Sequence, residues 1–238
     1  MNKKTAQILI LVEGAKTDVR LMYHLLNVYG ISSNHKIVSY NTNIYTLYNE
    51  MFSDDPSSID LLQLLRSREK DPEKKKLFDE SYSDILLIFD LDPHAPDFSS
   101  EKIRKMQQYF TESSDMGKLY LNYPMVEAFY HMKSIPDKNF DTRTVALSEL
   151  KIYKTKVNQE NRNHNYAKFA VNKIECDTVI KQNIRKGFLI SKSCKSNYLP
   201  DLIEILDKQL YKINLEKLMH VLCTCTYYIV DYNPKLID

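Results

Sequence analysis

The sequence predicts an α/β fold in which a mostly parallel four-stranded sheet is flanked by helices and followed by a mainly helical C-terminal extension. Between residue 6 and about residue 130, short apolar runs typical of buried strands alternate with segments of helical periodicity. The chain of 238 residues is 43% hydrophobic, which is enough for a sizeable core. Beyond residue 133 helical patterns prevail. We therefore expect a sheet domain over residues 1–133 and a basic, mainly helical extension over 134–238 packed on it.

Each predicted strand is followed by a predicted helix. The first strand, AQILILV at 6–12, ends at Glu13-Gly14, and residues 15–29 continue with helical spacing. The loop at 54–58 is rich in Asp, Pro and Ser. The other predicted strands are 36–40, 84–89 and 117–121, and the other predicted helices are 44–52, 59–68, 99 to about 113, and one that starts at Pro124.

The composition excludes several classes of protein. Only 4 glycines are present, and neither a Walker-type phosphate loop nor a dinucleotide-binding glycine fingerprint occurs. The longest apolar stretch, 218–230, is too short and too interrupted to span a membrane. We therefore expect a cytoplasmic protein with no membrane association. The four cysteines form no C-x-x-C pair and are expected to be buried thiols: Cys176, Cys194, Cys223 and Cys225.

Charge is distributed unevenly along the chain. Residues 1–120 carry 15 basic and 18 acidic side chains, whereas residues 121–238 carry 18 basic and 13 acidic ones. Within the second half, residues 151–195 hold 11 basic and 3 acidic side chains. This basic tract fits binding of a polyanion, and it equally fits a solvated lysine-rich face.

Acidic residues follow two of the predicted strands at their carboxyl ends. Asp90 and Asp92 come after the strand at 84–89, and Pro93 ends that strand. In a strand, residues i and i+2 share a face, so these two carboxylates are expected to point the same way. If the first strand is a neighbour, Glu13 joins them, and hard cations such as Mg²⁺ or Mn²⁺ prefer such oxygen ligands. Taken singly, each residue also fits a polar turn or a helix cap.

Three segments resemble the TOPRIM domain, most closely the RloB- and AbiL-like and OLD-family TOPRIM nucleases of bacterial defence systems. They are LILVEGAKTD at 9–18, ILLIFDLDPH at 85–94 and YLNYPMVEAFYH at 120–131. The third departs from the family pattern, because Tyr123 is inserted between Asn122 and Pro124. The resemblance covers about residues 6–131 and implies a Rossmann-like sheet.

The resemblance implies a catalytic and metal-binding set. Glu13 would be a metal ligand or a general acid and base, Asp90 and Asp92 would bind Mg²⁺ or Mn²⁺, and Glu127 would be an additional ligand. The implied activity is an endonuclease that cuts DNA or RNA, transfer RNA included, as an effector of anti-phage defence. A regulatory partner, such as a defence-system ATPase, would then be expected.

Basic and aromatic residues near these motifs are candidates for contacts with nucleic acid. Lys154 and Lys156, in KIYKTK, are candidates to stabilise charge at the scissile phosphate, although each fits a contact with the phosphate backbone or a solvated position better. Tyr153, Tyr166 and Phe169 interleave with the basic tract and are candidates for stacking on bases. His131 is expected on the same helix face as Glu127, in a packing or orienting role, and Asp18 is expected to complement the helix dipole. The candidate phosphate-binding residues are Lys16, His94, Lys151, Lys156 and Arg162.

Two other functions stay open. In a haloacid-dehalogenase-type phosphatase, Asp90 would be the nucleophile and Asp92 the acid, although this leaves Glu13 without a role. In a non-catalytic TOPRIM protein, the same residues would serve only to bind nucleic acid or a partner. Cleavage and phosphatase assays separate these functions.

Overall fold

The main sheet contains the four predicted parallel strands. The computed structural model describes residues 6–52, 60–192 and 198–237; the loop predicted at 54–58 lies outside them. The parallel strands lie side by side in the order β2-β1-β3-β5, and a short strand, β4, pairs antiparallel with β5. These strands are β1 Gln7–Val12, β2 His35–Ser39, β3 Tyr82–Asp90, β4 Thr111–Glu112 and β5 Gly117–Tyr123.

The parallel register of the central strands places their carboxyl ends side by side, along the edge of the sheet that is formed by strand ends. Val12 of β1 lies opposite Ile88 of β3, and the Glu13 N–H donates to the Ile88 carbonyl at 3.0 Å. Asp90, two residues later, ends β3. Both strands are covered on both faces and are therefore almost continuously apolar. The sheet edge that receives Glu13 and Asp90 is the one where parallel α/β sheets place their sites.

Helices follow the first three strands as predicted. Three of the helices carry side-chain caps: Asp60 accepts from the Gln63 N–H, Asp71 from the Glu73 N–H, and the Ser99 hydroxyl from the Lys102 N–H. The helix that begins after Ser99 ends earlier than predicted, because the backbone of β4 turns back to pair with β5. These helices are α1 Thr17–Val28, α2 Ile44–Phe52, α3 Leu61–Arg68, α4 Pro72–Lys75 and α5 Ser100–Tyr109.

The helix predicted from Pro124 is instead a single 3-10 turn, Val126–Tyr130. Its first N–H, that of Val126, donates to the Asp90 carboxylate at 2.9 Å, and the Ala128 N–H donates to the Met125 carbonyl at 2.9 Å. The turn is buried throughout. Packing against the sheet edge and the C-terminal part of the chain has replaced the longer helix that local periodicity favoured.

The C-terminal part is mainly helical and also contributes to the main sheet. Strand β8 pairs antiparallel with β5, so the sheet has six strands within the described residues and not the predicted four, while β6 and β7 form a separate two-stranded sheet. Residues 188–190, whose apolar side chains would also fit a short strand, lie inside the long helix α7. The elements are β6 Thr144–Ala146, α6 Tyr153–Glu160, α7 Lys173–Ser191, α8 Leu202–Glu216, β7 Leu218–His220, β8 Leu222–Cys223 and α9 Tyr227–Tyr232.

This architecture agrees with the predicted α/β class and is compatible with a Rossmann-like fold. Three cysteines are buried free thiols, as expected: Cys176, Cys223 and Cys225. Cys194 lies outside the described residues. In the part of the chain that the structure describes, no helix has the length and apolar character needed to cross a bilayer.

Candidate functional site

Glu13 and Asp90 are joined through the backbone at the carboxyl edge of the sheet. The Asp90 N–H donates to Glu13 Oε2 at 3.1 Å, and Asp90 Oδ1 in turn accepts from the Val126 N–H at 2.9 Å. Asp90 is buried and Glu13 is half-buried. Because one oxygen of each carboxylate is held by a main-chain donor, both side chains are oriented and each keeps its second oxygen for another partner.

Two further carboxylates, Asp18 and Glu127, complete the acidic cluster, which we define as Glu13, Asp18, Asp90 and Glu127. Asp18 is 6% exposed and Glu127 is 1% exposed. Asp18 Oδ1 and Glu127 Oε2 are buried and have no hydrogen-bond partner among the described residues. Buried carboxylate oxygens without partners are costly, so these atoms are suited to receive a ligand.

Sequence analysis missed Asp18, and Gly14 is the signal that could have found it. A Cβ at position 14 would lie 2.6 Å from Asp18 Oδ2, so only glycine allows the Asp18 carboxylate to pack against this turn. Asp18 lies in the first turn of α1, as its expected interaction with the helix dipole requires, but its side chain is buried. Asp18 is directed into the site.

The acidic cluster is electrostatically crowded. Burial raises the pKa of Glu13 to about 8 against the opposing hydrogen bond from Asp90, and the charges of Asp18 and Asp92 add to the rise. Burial, with a contribution from Glu127, raises the pKa of Asp18 to about 6. Burial also raises the pKa of Asp90, as do the neighbouring charges of Glu13, Asp18 and Glu127. Bound protons or a cation would relieve this repulsion.

Lys154 supplies one positive charge at the mouth of the cluster. Its Nζ lies 3.3 Å from Glu127 Oε1, while its side chain remains 66% exposed. Burial acts to lower the pKa of Lys154, but the carboxylates of Glu127, Asp90 and Asp18 raise it above its ordinary value. The ammonium group therefore faces both the acidic cluster and solvent, where an anionic substrate would approach.

Asp92 lies beside the cluster, but in a turn and not on the strand face where it was expected. The strand ends at Asp90, and Asp92 occupies a turn with φ of 32°, so alternation along a strand does not set its direction. Asp92 Oδ1 accepts from the His94 N–H at 3.2 Å. Its charge acts on Glu13, which places Asp92 on the Glu13 side of the site.

His131 is a structural residue in this fold. The 3-10 turn ends before it, so the helix face that it was expected to share with Glu127 does not exist. Its ring nitrogens lie 3.1 Å from the Tyr153 hydroxyl and 3.4 Å from Glu160 Oε2. Burial and the charge of Arg143 lower the pKa of His131 to about 4, so the imidazole is neutral at pH 7. This agrees with the packing or orienting role that was favoured.

The candidate phosphate-binding residues fall into two groups. Lys16, His94 and Lys151 are exposed. By contrast, Lys156 is paired with Glu149 at 2.8 Å and Arg162 with Glu175 at 2.8 Å, so their charges are partly neutralised within the protein. Of the three aromatic candidates for base stacking, Tyr153 and Phe169 are buried, and Tyr166 alone is half-exposed.

The cluster fits a divalent cation by its chemistry, although its side chains are not gathered in a ligand cage. Across the described ranges, no three Asp, Glu, His or Cys side chains are arranged closely enough to hold a metal ion. A bound cation would reduce the mutual repulsion of these carboxylates and allow them to approach one another. The all-oxygen donor set and the unpartnered oxygens of Asp18 and Glu127 match the preferences of Mg²⁺ and Mn²⁺.

The chain matches no protein-family model. It also matches none of the curated proteins and none of the solved structures with which it was compared. A functional assignment for this chain therefore depends on its own residues and their arrangement.

Proposed function

We propose that this protein is a Mg²⁺- or Mn²⁺-dependent nuclease that hydrolyses phosphodiester bonds of nucleic acid. The observation that carries the proposal is that four carboxylates, after β1, in α1, at the end of β3 and in the 3-10 turn after β5, lie close enough to influence one another's pKa, with the Lys154 ammonium group beside Glu127. The TOPRIM-like motifs that contain Glu13, Asp90 and Glu127 support it independently. The same resemblance leads us to propose a role in anti-phage defence with a regulatory partner.

The chain's own residues would divide the work as follows. Glu13, Asp18, Asp90 and Glu127 would hold the cations, with Asp92 beside Glu13. Bound divalent ions supply a nucleophile from water and stabilise charge on the phosphate. Lys154 would bind a non-bridging phosphate oxygen, because its ammonium group is exposed and is already oriented by Glu127. The main-chain donors to Glu13 and Asp90 would keep the carboxylates in place as substrate enters.

A non-catalytic nucleic-acid-binding protein is the main competing function. The observation that favours it is that the carboxylates are not gathered into a ready ligand group in the described part of the chain. A phosphatase that uses Asp90 as nucleophile is less favoured, because Asp90 is buried and Oδ1 accepts from the Val126 N–H. That function also leaves Asp18 and Glu127 without a role.

Cleavage assays with purified protein test the proposal. Plasmid DNA, single-stranded DNA, total RNA and transfer RNA are incubated with the protein in Mg²⁺, Mn²⁺ or EDTA, and p-nitrophenyl phosphate is tested in parallel. We expect cleavage of nucleic acid in the divalent ions, none in EDTA and no phosphatase activity. Glu13→Gln and Asp90→Asn should each abolish cleavage while circular dichroism and melting show a folded protein.

Matched controls are available on the surface. Glu101→Gln and Asp115→Asn remove exposed carboxylates outside the acidic cluster and should cleave like the natural protein. Full activity of both Glu13→Gln and Asp90→Asn would refute the assignment. Specific binding without cleavage under any metal condition would favour the non-catalytic function.

A further inference from the structure

An aromatic side chain is held rigidly at one flank of the acidic cluster. The Tyr166 ring stacks on the Tyr130 ring with centroids 4.4 Å apart and planes 21° apart. The Tyr166 hydroxyl donates to the main-chain carbonyl of Lys154 at 2.9 Å. Tyr130 is buried, whereas Tyr166 is half-exposed. The ring is thus fixed through one face and one edge, directly beside the lysine that we assign to the phosphate.

An unpaired cation lies on the same flank. Arg20, in α1, is exposed and has no ion-pair or hydrogen-bond partner for its side chain in the described ranges. Lys16 lies one helical turn earlier, since the Arg20 N–H donates to the Lys16 carbonyl at 3.0 Å. Burial and the charge of Glu127 raise the pKa of Tyr166, and the charge of Arg20 opposes this rise. His24, one helical turn after Arg20 on the same face of α1, lies with Nε2 2.7 Å from the Ala170 carbonyl, so this face of α1 adjoins the segment that contains Tyr166.

Four other basic residues of the tract at 151–195 are paired with acidic partners, whereas Lys151, Lys168 and Lys181 are exposed and form no ion pair in the described ranges. Lys173 is paired with Asp177 at 2.8 Å, and Arg185 with Asp141 at 2.8 Å, as Lys156 and Arg162 are with their own partners. The cations of the Arg20 flank are free to meet phosphates. Part of the positive charge of the tract is therefore neutralised within the protein, whereas Lys16 and Arg20 beside the acidic cluster remain exposed.

We infer that Tyr166 and Arg20 form a subsite for an unpaired nucleotide next to the scissile phosphate, so that the substrate is a single-stranded segment of nucleic acid. This inference rests on the proposed function. An aromatic face stacks on the face of a base, which a duplex covers with its own neighbouring bases. The Arg20 guanidinium would contact the phosphate that flanks the stacked nucleotide. The recessed carboxylates of Asp90 and Glu127 also favour a strand flexible enough to bend into the site.

Binding measurements test the subsite separately from catalysis. Fluorescence anisotropy follows labelled 12-nucleotide single strands of DNA and RNA and the matching blunt duplexes, in EDTA, where cleavage is not expected. The variants are Tyr166→Leu, Tyr166→Phe and Arg20→Gln. Tyr211→Leu and Lys208→Gln are the controls, because both residues are exposed on α8, away from the acidic cluster. Melting curves establish that each variant is folded.

We expect tighter binding of single strands than of duplexes. Tyr166→Leu should weaken single-strand binding about tenfold, within the range for loss of one base–aromatic stack, whereas Tyr166→Phe keeps the ring and should bind within about threefold of the natural protein. Arg20→Gln should reduce the slope of log K against log salt by about 0.7, the value for one phosphate contact with a single strand. The DNA and RNA strands report which backbone is preferred.

The outcomes distinguish this inference from the proposed function. Single-strand binding that depends on Tyr166 and Arg20, without cleavage in Mg²⁺ or Mn²⁺, supports the subsite and counts against the nuclease. Equal binding of single strands and duplexes overturns the inference. It is also overturned if Tyr166→Leu and Arg20→Gln behave like Tyr211→Leu and Lys208→Gln, or if no nucleic acid binds. If Tyr166→Leu does not fold, the effect of Arg20→Gln on single-strand binding tests the inference, because the Arg20 side chain is exposed and its replacement should not disturb the fold.

Discussion

Glu13→Gln is predicted to stabilise the protein in the absence of divalent cations. Glutamine has nearly the same shape as glutamate and keeps a side-chain oxygen that can accept from the Asp90 N–H. The substitution removes one negative charge from a cluster that also contains Asp18 and Asp90. A variant expected to abolish activity is therefore expected to raise stability, which is the reverse of the usual effect of a buried substitution.

The magnitude follows from the raised pKa of Glu13. The unfolded chain releases this proton near pH 4.5 and the folded chain near pH 8, so the natural protein loses stability as the pH rises through that window. At about 1.4 kcal/mol per pKa unit, the upper limit of the loss is about 5 kcal/mol. Solvent contact of this half-buried group reduces the effect, and we expect Glu13→Gln to gain about 2 kcal/mol at pH 8 and less than about 0.5 kcal/mol at pH 5.

In divalent cations the natural protein should be more stable than Glu13→Gln, which is the reverse of their order without cations. A ligand present at 100 times its dissociation constant stabilises the folded state by about 2.7 kcal/mol. The folded state of the natural protein should be stabilised by about this amount in Mg²⁺ or Mn²⁺. Glu13→Gln has one ligand charge fewer, so its folded state should be stabilised by less than about 1 kcal/mol. Affinity for the cation should also rise between pH 6 and 8, because Asp18 and Glu13 must lose their protons to bind it.

Thermal melting in EDTA and in Mg²⁺, at pH 5 and pH 8, measures both effects. For a chain of this length, 2 kcal/mol corresponds to a rise in Tm of about 4–8 °C. Glu101→Gln, at an exposed position in α5, is the control and should leave Tm unchanged. Destabilisation by Glu13→Gln of equal size at both pH values, with Mg²⁺ stabilising both proteins alike, would contradict the reasoning about the acidic cluster.

Three other predictions concern catalysis, pH and packing. Lys154→Gln should lower kcat about 100-fold with little change in KM, whereas Lys151→Gln should change KM only a few-fold; steady-state kinetics that show equal effects would remove Lys154 from its assigned role. The pKa of His131 is near 4 in the fold and about 6.5 in the unfolded chain, so the unfolded state takes up a proton first as the pH falls. Between pH 7 and pH 4 this should lower the free energy of unfolding by about 2 kcal/mol. Urea unfolding should show a smaller decrease for His131→Gln. Gly187→Ala should destabilise by about 1–3 kcal/mol despite the better helix propensity of alanine, because the new Cβ would lie 2.2 Å from the Tyr227 hydroxyl; an unchanged or raised Tm would show that α7 shifts freely.

Much of the sheet domain was predictable because its signals are local. A continuous apolar run such as that of β1 or β3 buries both faces of a strand, and the helix before Gly30 shows its periodicity in the sequence. Glu13 and Asp90 were expected to lie close together because each lies at the carboxyl end of a strand and these two strands were taken to be neighbours. The turn at 126–130 was mispredicted because it is buried by packing against remote parts of the chain, which the local periodicity does not reveal.

The residues from 134 onward were less predictable, since their structure depends on remote pairing. Strand β8 is only two residues long and exists because β5 offers it an edge. Residues 188–190 are rich in apolar side chains, which fit a strand as well as a helix, and their position inside α7 is decided by the length of that helix and its packing. For residues 188–190, helix propensity and tertiary packing both favour a helix, but only the packing excludes a strand.

By itself, the sequence determined the class of the fold, the positions of the first strands and three acidic residues at the sheet edge, because apolar periodicity and strand-end motifs are properties of neighbouring residues. Tertiary structure alone decided that Asp18 belongs with them, that Lys154 lies over Glu127, and that Tyr166 and Arg20 flank the cluster. Arg20 and Tyr166 are more than 100 positions apart in the chain, Lys154 and Glu127 belong to different elements, and the position of Asp18 depends on how closely its side chain can approach Gly14. Such proximity arises from packing in three dimensions, and no local pattern in the chain encodes it.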